Sequence, residues 1–341
     1  MKDARLDAVV VGYGSIGRRH VEALASRAGR MIVVDADPAA RAAASRAHPR
    51  AEVFSSAEEV RASHQSLSGA LGVIATWGPS HLEIFQHLLD LKVQAIVCEK
   101  PLAASVANAH RMCDAAARAG TPLAVNHIYR YLGLRNAVRG LEERHALGEP
   151  IALVSLAGAA GLITNGIHVV DFAFELFDGA PRRVVSTAQS DPVNPRSSEL
   201  NYFGGTSTFE FDGRREATLA YTNLSSLALW LVILYREALI EVDSNFHYVI
   251  RRRESSEVQA DPRLTRYGVP HEVDRGTLNL HPDPIRRSHD DALAGADTAP
   301  GWIGRDVLGA CIASLVSAES GRAVVGQVEP DSEWGRRQWA I

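Results

Sequence analysis

Three short stretches hold residues whose types and spacing suit chemistry. In "VVVGYGSIGRRH" (9–20), valines run into Gly12, Gly14 and Gly17, spaced G-x-G-x-x-G. After a strand and before a helix, such glycines make a tight turn, let the backbone approach a ligand closely, and let helix pack on strand. The helix N-terminus then offers free N–H groups to a pyrophosphate. Tyr13, Ser15 and Ile16 share that loop and are expected to line the same ligand. Asp35 ends the second strand-like run, where a carboxylate accepts from adenosine ribose hydroxyls and repels a 2′-phosphate, favouring NAD over NADP. Glycine turns and strand-end aspartates are each common without a ligand, and it is their combination that points to a dinucleotide. Arg18 and Arg19 either touch phosphate or point to water.

The second stretch is "CEKPLA" (98–103), where Glu99, Lys100 and Pro101 follow an apolar run. In open α/β sheets ligands bind beyond the carboxyl ends of strands, and a lysine there can exchange a proton when burial or a neighbouring cation lowers its pKa. An isolated E-K-P is otherwise a surface turn. The third stretch is "TNGIHVVD" (164–171), with His168 at a helix start and Asp171 a turn later. A lone histidine in that position is more often structural than functional.

These stretches need elements to hold them. Apolar runs at 8–11, 31–35, 71–76, 95–98 and 123–125 alternate with alanine-rich helical segments at 15–28, 38–47, 80–91 and 105–119, the pattern of a parallel sheet covered by helices. Asp37-Pro38 reads as an N-cap with proline behind it, and Gly29 and Gly120 as helix C-caps. Beyond residue 125 the pattern predicts helices at 132–146 and 166–179, a turn-rich loop over 189–207, and two antiparallel strands about Asp212-Gly213. More strand follows, then polar irregular chain over 251–291, and a last helix ending at Gly321. "HPDPIRRSHDD" (281–291) fits a loop with an N-cap better than a metal site, and "RRRE" (251–254) a solvated face. The fold class expected is α/β: a Rossmann, doubly wound domain over 1–125 and an α+β domain with a large, mostly antiparallel open sheet over 126–341.

With 341 residues, 46% hydrophobic and 22% charged, the chain reads as a two-domain globular protein. A net charge of −4 argues against nucleic-acid or membrane-surface binding. Three scattered cysteines suit buried thiols in a reducing cytoplasm rather than disulfides or zinc, and no metal is expected. The uncharged run 151–170 is interrupted by glycines, an Asn-Gly turn signal and His168, so it reads as strand, turn and helix start rather than a span.

Taken together, "VVVGYGSIGRRHVEAL", "VIATWGPSHLEIFQHLL", "CEKPLA", "GEPIALVS", "NGIHVVD" and "LVSAESGRAV" resemble, in order and spacing, the motifs of the Gfo/Idh/MocA family of NAD(P)-dependent oxidoreductases. The resemblance implies that Lys100 and His168 are catalytic. It implies cofactor contacts from the glycine loop, Asp35, Thr76, Trp77, His81, Glu99 and Lys100, and substrate contacts from Lys100, Asn126, Tyr129, Arg130, Thr164, Asn165 and His168. Thr164 stands where the family commonly has aspartate. The activity implied is hydride transfer between nicotinamide and a secondary alcohol or ketone of a sugar, sugar derivative or cyclitol such as inositol, with a homodimer or homotetramer as the assembly. Redox-neutral glycoside cleavage or epimerisation on tightly bound NAD, and a non-catalytic dinucleotide sensor, are the alternatives.

Overall fold

Valine-rich runs buried on both faces make parallel sheets, because helices cover both sides. In the computed structural model, which describes residues 6–158, 160–191, 201–253 and 270–341, six such runs form one sheet. They are β1 (Leu6–Val11), β2 (Ala28–Val34), β3 (Glu52–Phe54), β4 (Leu71–Ile74), β5 (Ala95–Cys98) and β6 (Leu123–Val125). Their order is β3-β2-β1-β4-β5-β6, every pairing parallel. The crossovers are α1 (Ser15–Ala25), α2 (Pro38–Ala47), α3 (Ala57–Ser63), α4 (His81–Asp90) and α5 (Val106–Ala119).

Local chemistry sets most of these boundaries. Asp37 accepts from the Ala39 N–H at 2.9 Å with Pro38 at the first helical position, and Gly120 closes α5 at φ +65°. Gly29 is not a C-cap: α1 stops at Ala25 and Gly29 already lies in β2. β3 and α3 escaped the sequence pattern because β3 is a three-residue, partly exposed edge strand. The Ser56-x-x-Glu59 signature does mark α3, with Ser56 Oγ accepting from the Glu59 N–H.

The chain divides into two compact units, and not at residue 125. The first runs through Leu132 and takes back His281–Gly309 and Val328–Ile341, while the second holds Gly133–Leu280 and Ala310–Gln327. Within the first unit, Val125 N–H donates to Ala299 O and Trp339 N–H to Ala104 O, both at 2.8 Å. The stretch 281–291, read as loop, is mostly helix (Pro284–Ala294), capped by Asp283. Its buried face is Ile285, Ser288, His289 and Ala292, half of it polar, which hid the periodicity.

The second unit is built on a mixed sheet of β7 (Ala152–Gly158), β8 (Arg183–Ser186), β9 (Gln189–Asp191), β10 (Tyr202–Glu210), β11 (Glu216–Thr222), β12 (Trp230–Leu234), β13 (Ala238–Asp243), β14 (His247–Arg252), β15 (His271–Thr277) and β16 (Val324–Val325). The order is β15-β14-β13-β12-β7-β11-β10-β8-β16 with β9 on β10, antiparallel throughout except for β7 beside β11. The hairpin about Asp212-Gly213 is present, Glu210 facing Glu216. β9 and β10 begin inside the stretch read as loop, and β15 inside the one read as irregular; residues 192–200 and 254–269 lie outside the described set. The predicted helix 132–146 is α6 (Ile128–Leu132) and α7 (Leu134–His145), parted by Gly133 at φ +75°. α8 (Gly166–Leu176) buries Ile167, Val170 and Phe174 as its pattern requires. Among the described residues no helix is long and apolar enough to cross a membrane.

A buried ionic knot ties α7 to the sheet. Glu142 accepts from Arg135 Nη1 at 2.7 Å and from the Tyr235 hydroxyl at 2.8 Å. Removing one donor leaves a buried carboxylate oxygen unsatisfied, which costs about 1–3 kcal/mol. Tyr235→Phe is expected to lower the urea-unfolding free energy by that amount with an unchanged slope.

Candidate active site

Strand ends and glycines build the candidate site of the first unit. Gly12 leaves β1 at φ +98°, and a Cβ there would lie 2.5 Å from Ala75 O. A Cβ on Gly17 would lie 1.9 Å from Gly12 O, so both positions require glycine for backbone contact. Gly14 is different: a Cβ there meets nothing within 4 Å, and no side chain caps the helix it starts. The first N–H groups of α1 thus have no side-chain cap, and the Cβ direction at Gly14 is open.

Asp35 follows β2 beside this loop. Its Oδ2 accepts the Tyr13 N–H at 2.6 Å and its Oδ1 the Asp37 N–H at 2.8 Å. An ionised carboxylate has about four acceptor positions, so capacity remains for ribose hydroxyls. The Tyr13 ring is turned inward, edge-on to His48 with Arg18 over its face, and only its backbone borders the loop. Beyond β4, Thr76 Oγ1 bonds Ser80 Oγ at 2.8 Å, and Trp77 is 51% exposed.

The E-K-P motif stands at the end of β5. Lys100 is half-buried, and Glu99 beneath it is buried, its Oε1 accepting from His20 at 3.0 Å and from Asn126 Nδ2 at 2.6 Å. Burial pushes the Glu99 carboxyl up, but the His20 and Asn126 hydrogen bonds and the Lys100 charge outweigh it and hold the group below its ordinary range. Because Glu99 can only accept, Asn126 must present Nδ2 to it, leaving Asn126 Oδ1 buried without a partner. His127 is pushed down to about 3, by burial first and then by Arg130 and Lys100. Tyr129 and Arg130 follow on α6, half-buried.

Two expected ligand contacts are corrected. The His81 ring is fully buried, with Nε2 3.1 Å from Thr76 O and Nδ1 3.3 Å from Cys98 Sγ, so it braces the β4 and β5 loops from inside. The Glu99 carboxylate likewise points into the protein. Conversely, His20 and His289 were missed. His20 sits three residues after Gly17 on the buried face of α1, a placement visible in "GRRH" had the helix been drawn as a wheel.

In the second unit Thr164, Asn165 and His168 gather at the start of α8. Thr164 Oγ1 donates to Asn165 Oδ1 at 3.1 Å, and the Asn165 and Gly166 N–H groups donate to Gly161 O at 2.9 and 3.1 Å. A Cβ on Gly161 would meet Thr164 Oγ1 at 2.6 Å, and one on Gly166 the Tyr221 ring at 2.8 Å, so both glycines are needed for this turn. His168 is half-buried and Asp171 fully buried.

Glycine loop, Asp35, Thr76–Trp77, Lys100 and Asn126 thus lie at the carboxyl ends of β1, β2, β4, β5 and β6, the ligand edge of a doubly wound sheet. The first unit is a dinucleotide-binding Rossmann fold of the oxidoreductase kind. Residues 6–127 match the model of the Gfo/Idh/MocA family, "Oxidoreductase family, NAD-binding Rossmann fold". The chain is 29% identical over 203 residues to a D-apiose dehydrogenase of Paraburkholderia graminis, a match that spans 54% of this chain and 53%, about half, of that curated relative. A levoglucosan dehydrogenase solved with NADH superposes with TM-score 0.73 at 18% identity, covering 95% of this chain and 100% of that one. An oxidoreductase from Agrobacterium radiobacter solved with NAD+, L-tartaric acid and magnesium gives 0.71 at 19%, over 94% and 98%. At these identities the solved structures establish the fold.

The open space at Gly14 and the obligatory glycines at 12 and 17 fit a dinucleotide. Gly14→Ala is expected to melt at the wild-type temperature yet bind NADH roughly tenfold or more weakly, by about 1.4 kcal/mol per tenfold. Gly17→Ala is expected to lose both stability and binding. Differential scanning fluorimetry and fluorescence titration check the pair.

Proposed function

We propose that the chain is an NAD-dependent dehydrogenase or reductase acting on a secondary alcohol or ketone of a sugar, sugar derivative or cyclitol. The observation that carries this reading is Lys100, held at the end of β5 on the same sheet edge as the glycine loop and Asp35. The D-apiose and levoglucosan dehydrogenases among its relatives support the substrate class. Asp35 supports NAD over NADP, since a second negative charge beside it is disfavoured.

In this reading the α1 N–H groups and the three glycines hold the pyrophosphate, Asp35 the adenosine ribose, and Thr76 and Trp77 border the cofactor. Bound there, the nicotinamide supplies the hydride acceptor or donor. Lys100 Nζ takes the substrate hydroxyl proton on oxidation and returns it on reduction. His168 is the second proton-handling group. Tyr129, Arg130, Thr164 and Asn165 orient neighbouring hydroxyls, while Asn126, buried, holds Glu99.

Lysine usage agrees with a chemical role for position 100. The chain has 33 arginines but only three lysines, Lys2, Lys92 and Lys100. Arginine serves where a permanent charge suffices, whereas an amine can lose its proton. Positioned acid–base help contributes about 100- to 10,000-fold. Lys100→Ala is therefore expected to lower kcat by that order on any substrate found in a panel of sugars and cyclitols, with NADH affinity within about twofold, and NAD is expected to outperform NADP in the same assay. Unchanged turnover in this variant removes Lys100 from the mechanism.

We also infer a homo-oligomer built on the second unit's sheet. Val154, Leu156, Trp230 and Leu234 are exposed on the paired strands β7 and β12. Trp230 faces Leu156 across the β12–β7 pairing, and Val154 lies two residues along the same face. So continuous an apolar strip suits a second copy of the chain. Light scattering is expected to give a multiple of the 36.9 kDa chain mass, and Trp230→Glu to shift it toward the monomer; a wild-type monomer refutes the assembly.

A further inference from the structure

Behind Lys100 runs a chain of buried polar groups with no place in the proposed reaction. His289 Nε2 lies 2.7 Å from His20 Nδ1, His20 Nε2 lies 3.0 Å from Glu99 Oε1, and both imidazoles are fully buried. The Lys100 N–H approaches Glu99 Oε2 at 3.4 Å. Protons in this chain are assigned by elimination. Glu99 is ionised and can only accept, so His20 Nε2 carries a hydrogen. His289 is neutral, driven there by burial, with His20 and Arg27 beside it. If His20 were an imidazolium, His289 would have to carry its hydrogen on Nδ1, which has no partner. An orphaned buried N–H is rarer than a bare acceptor. The consistent assignment is a neutral His289 donating from Nε2 to a neutral His20, which donates from Nε2 to Glu99.

We propose that His289 is a positioning residue for Lys100: its N–H locks His20 as a donor to Glu99 and so keeps one full negative charge behind the lysine amine. The proposal rests on the reading of Lys100 as the proton-handling group. Other titratable or charged groups around the chain are Lys100 itself, Cys98, His81, His127 and Arg130, with Arg27, just past α1, paired to Asp290 at 2.6 Å. None of them donates to His20 Nδ1. Without His289, no donor among the described residues holds His20 Nδ1 free of a proton, so His20 is open to becoming an imidazolium or to taking the Nδ1–H tautomer and driving a proton onto Glu99. Both outcomes remove one negative charge near Lys100, and both make its amine easier to deprotonate.

Two measurements on the full chain test this without a substrate. In histidine-labelled protein, long-range nitrogen–proton correlation spectra are expected to show His20 and His289 as single neutral Nε2–H tautomers. In protein labelled with ε-13C-lysine only three signals arise, and the one lost in Lys100→Arg reports Lys100. Its titration midpoint is expected to fall by about one pH unit in His289→Phe, the effect of losing one charge several ångströms away. It should return in His289→Gln, whose amide donates from the same place. Adding Glu99→Gln to His289→Phe should lower it no further, because the two act through one charge. A bare Nε2 on His289, or a folded His289→Phe with an unmoved midpoint, overturns the proposal. If His289→Phe does not fold, the wild-type tautomers and His289→Gln decide. Full turnover in Lys100→Ala, by contrast, would reject the catalytic reading and leave these spectra untouched.

Discussion

A carboxylate taken out of water must be met by donors, and Glu99 at the end of β5 is met by two side chains, one of them backed by a third. Asn126 follows β6, His20 rides on α1, and His289 stands behind His20 on a helix made from residues 284–294. Desolvating an ion costs several kcal/mol unless its lone pairs are filled. The donors must therefore be in place for the strand end to hold its shape. The geometry of Lys100 inherits that requirement, because it is the next residue on a short turn whose far side is braced by His81 and Cys98. Positioning of the amine is thus an electrostatic matter before it is a packing one.

The glycine loop shows the opposite logic, in which function depends on what is missing. Gly12 and Gly17 permit contacts that any Cβ would forbid, and Gly14 leaves room that none of the described residues fills. The same few residues thereby combine a tightly packed strand–helix corner with unsatisfied N–H groups beside open space. Asp35 links the halves of this arrangement by holding the Tyr13 N–H while keeping acceptor positions spare.

The parts legible in the sequence were those written in a single short window. Strand, glycines and helix occur within residues 9 to 20, and the spacing alone placed Gly12, Gly14, Gly17 and Asp35 correctly at one sheet edge. The hairpin about Asp212-Gly213 and the buried face of α8 were legible for the same reason. What escaped depended on partners far along the chain. His289 lies 269 residues from His20, and no local pattern marks a polar residue whose burial is justified only by another imidazole. The fate of His81 was equally hidden, since a histidine at a helix start looks alike whether it faces a ligand or two carbonyls. The boundary between units was misplaced because Pro282, Asp283 and Pro284 announce a loop, yet Asp283 and Pro284 are also the means of starting a helix.

The discontinuous first unit has a bearing on how the chain matures. During synthesis the six-stranded sheet emerges early, but His289, which completes the set behind Glu99, and Trp339, which pairs with Ala104, are added only after more than 140 further residues have left the ribosome. Until then His20, the donor to Glu99 on α1, lacks the partner of its own Nδ1, and the nascent sheet keeps apolar surface uncovered, the kind that chaperones engage. A fragment cut at the end of β6 would reproduce that half-made state permanently. The dinucleotide fold here is closed by residues from 281 onward.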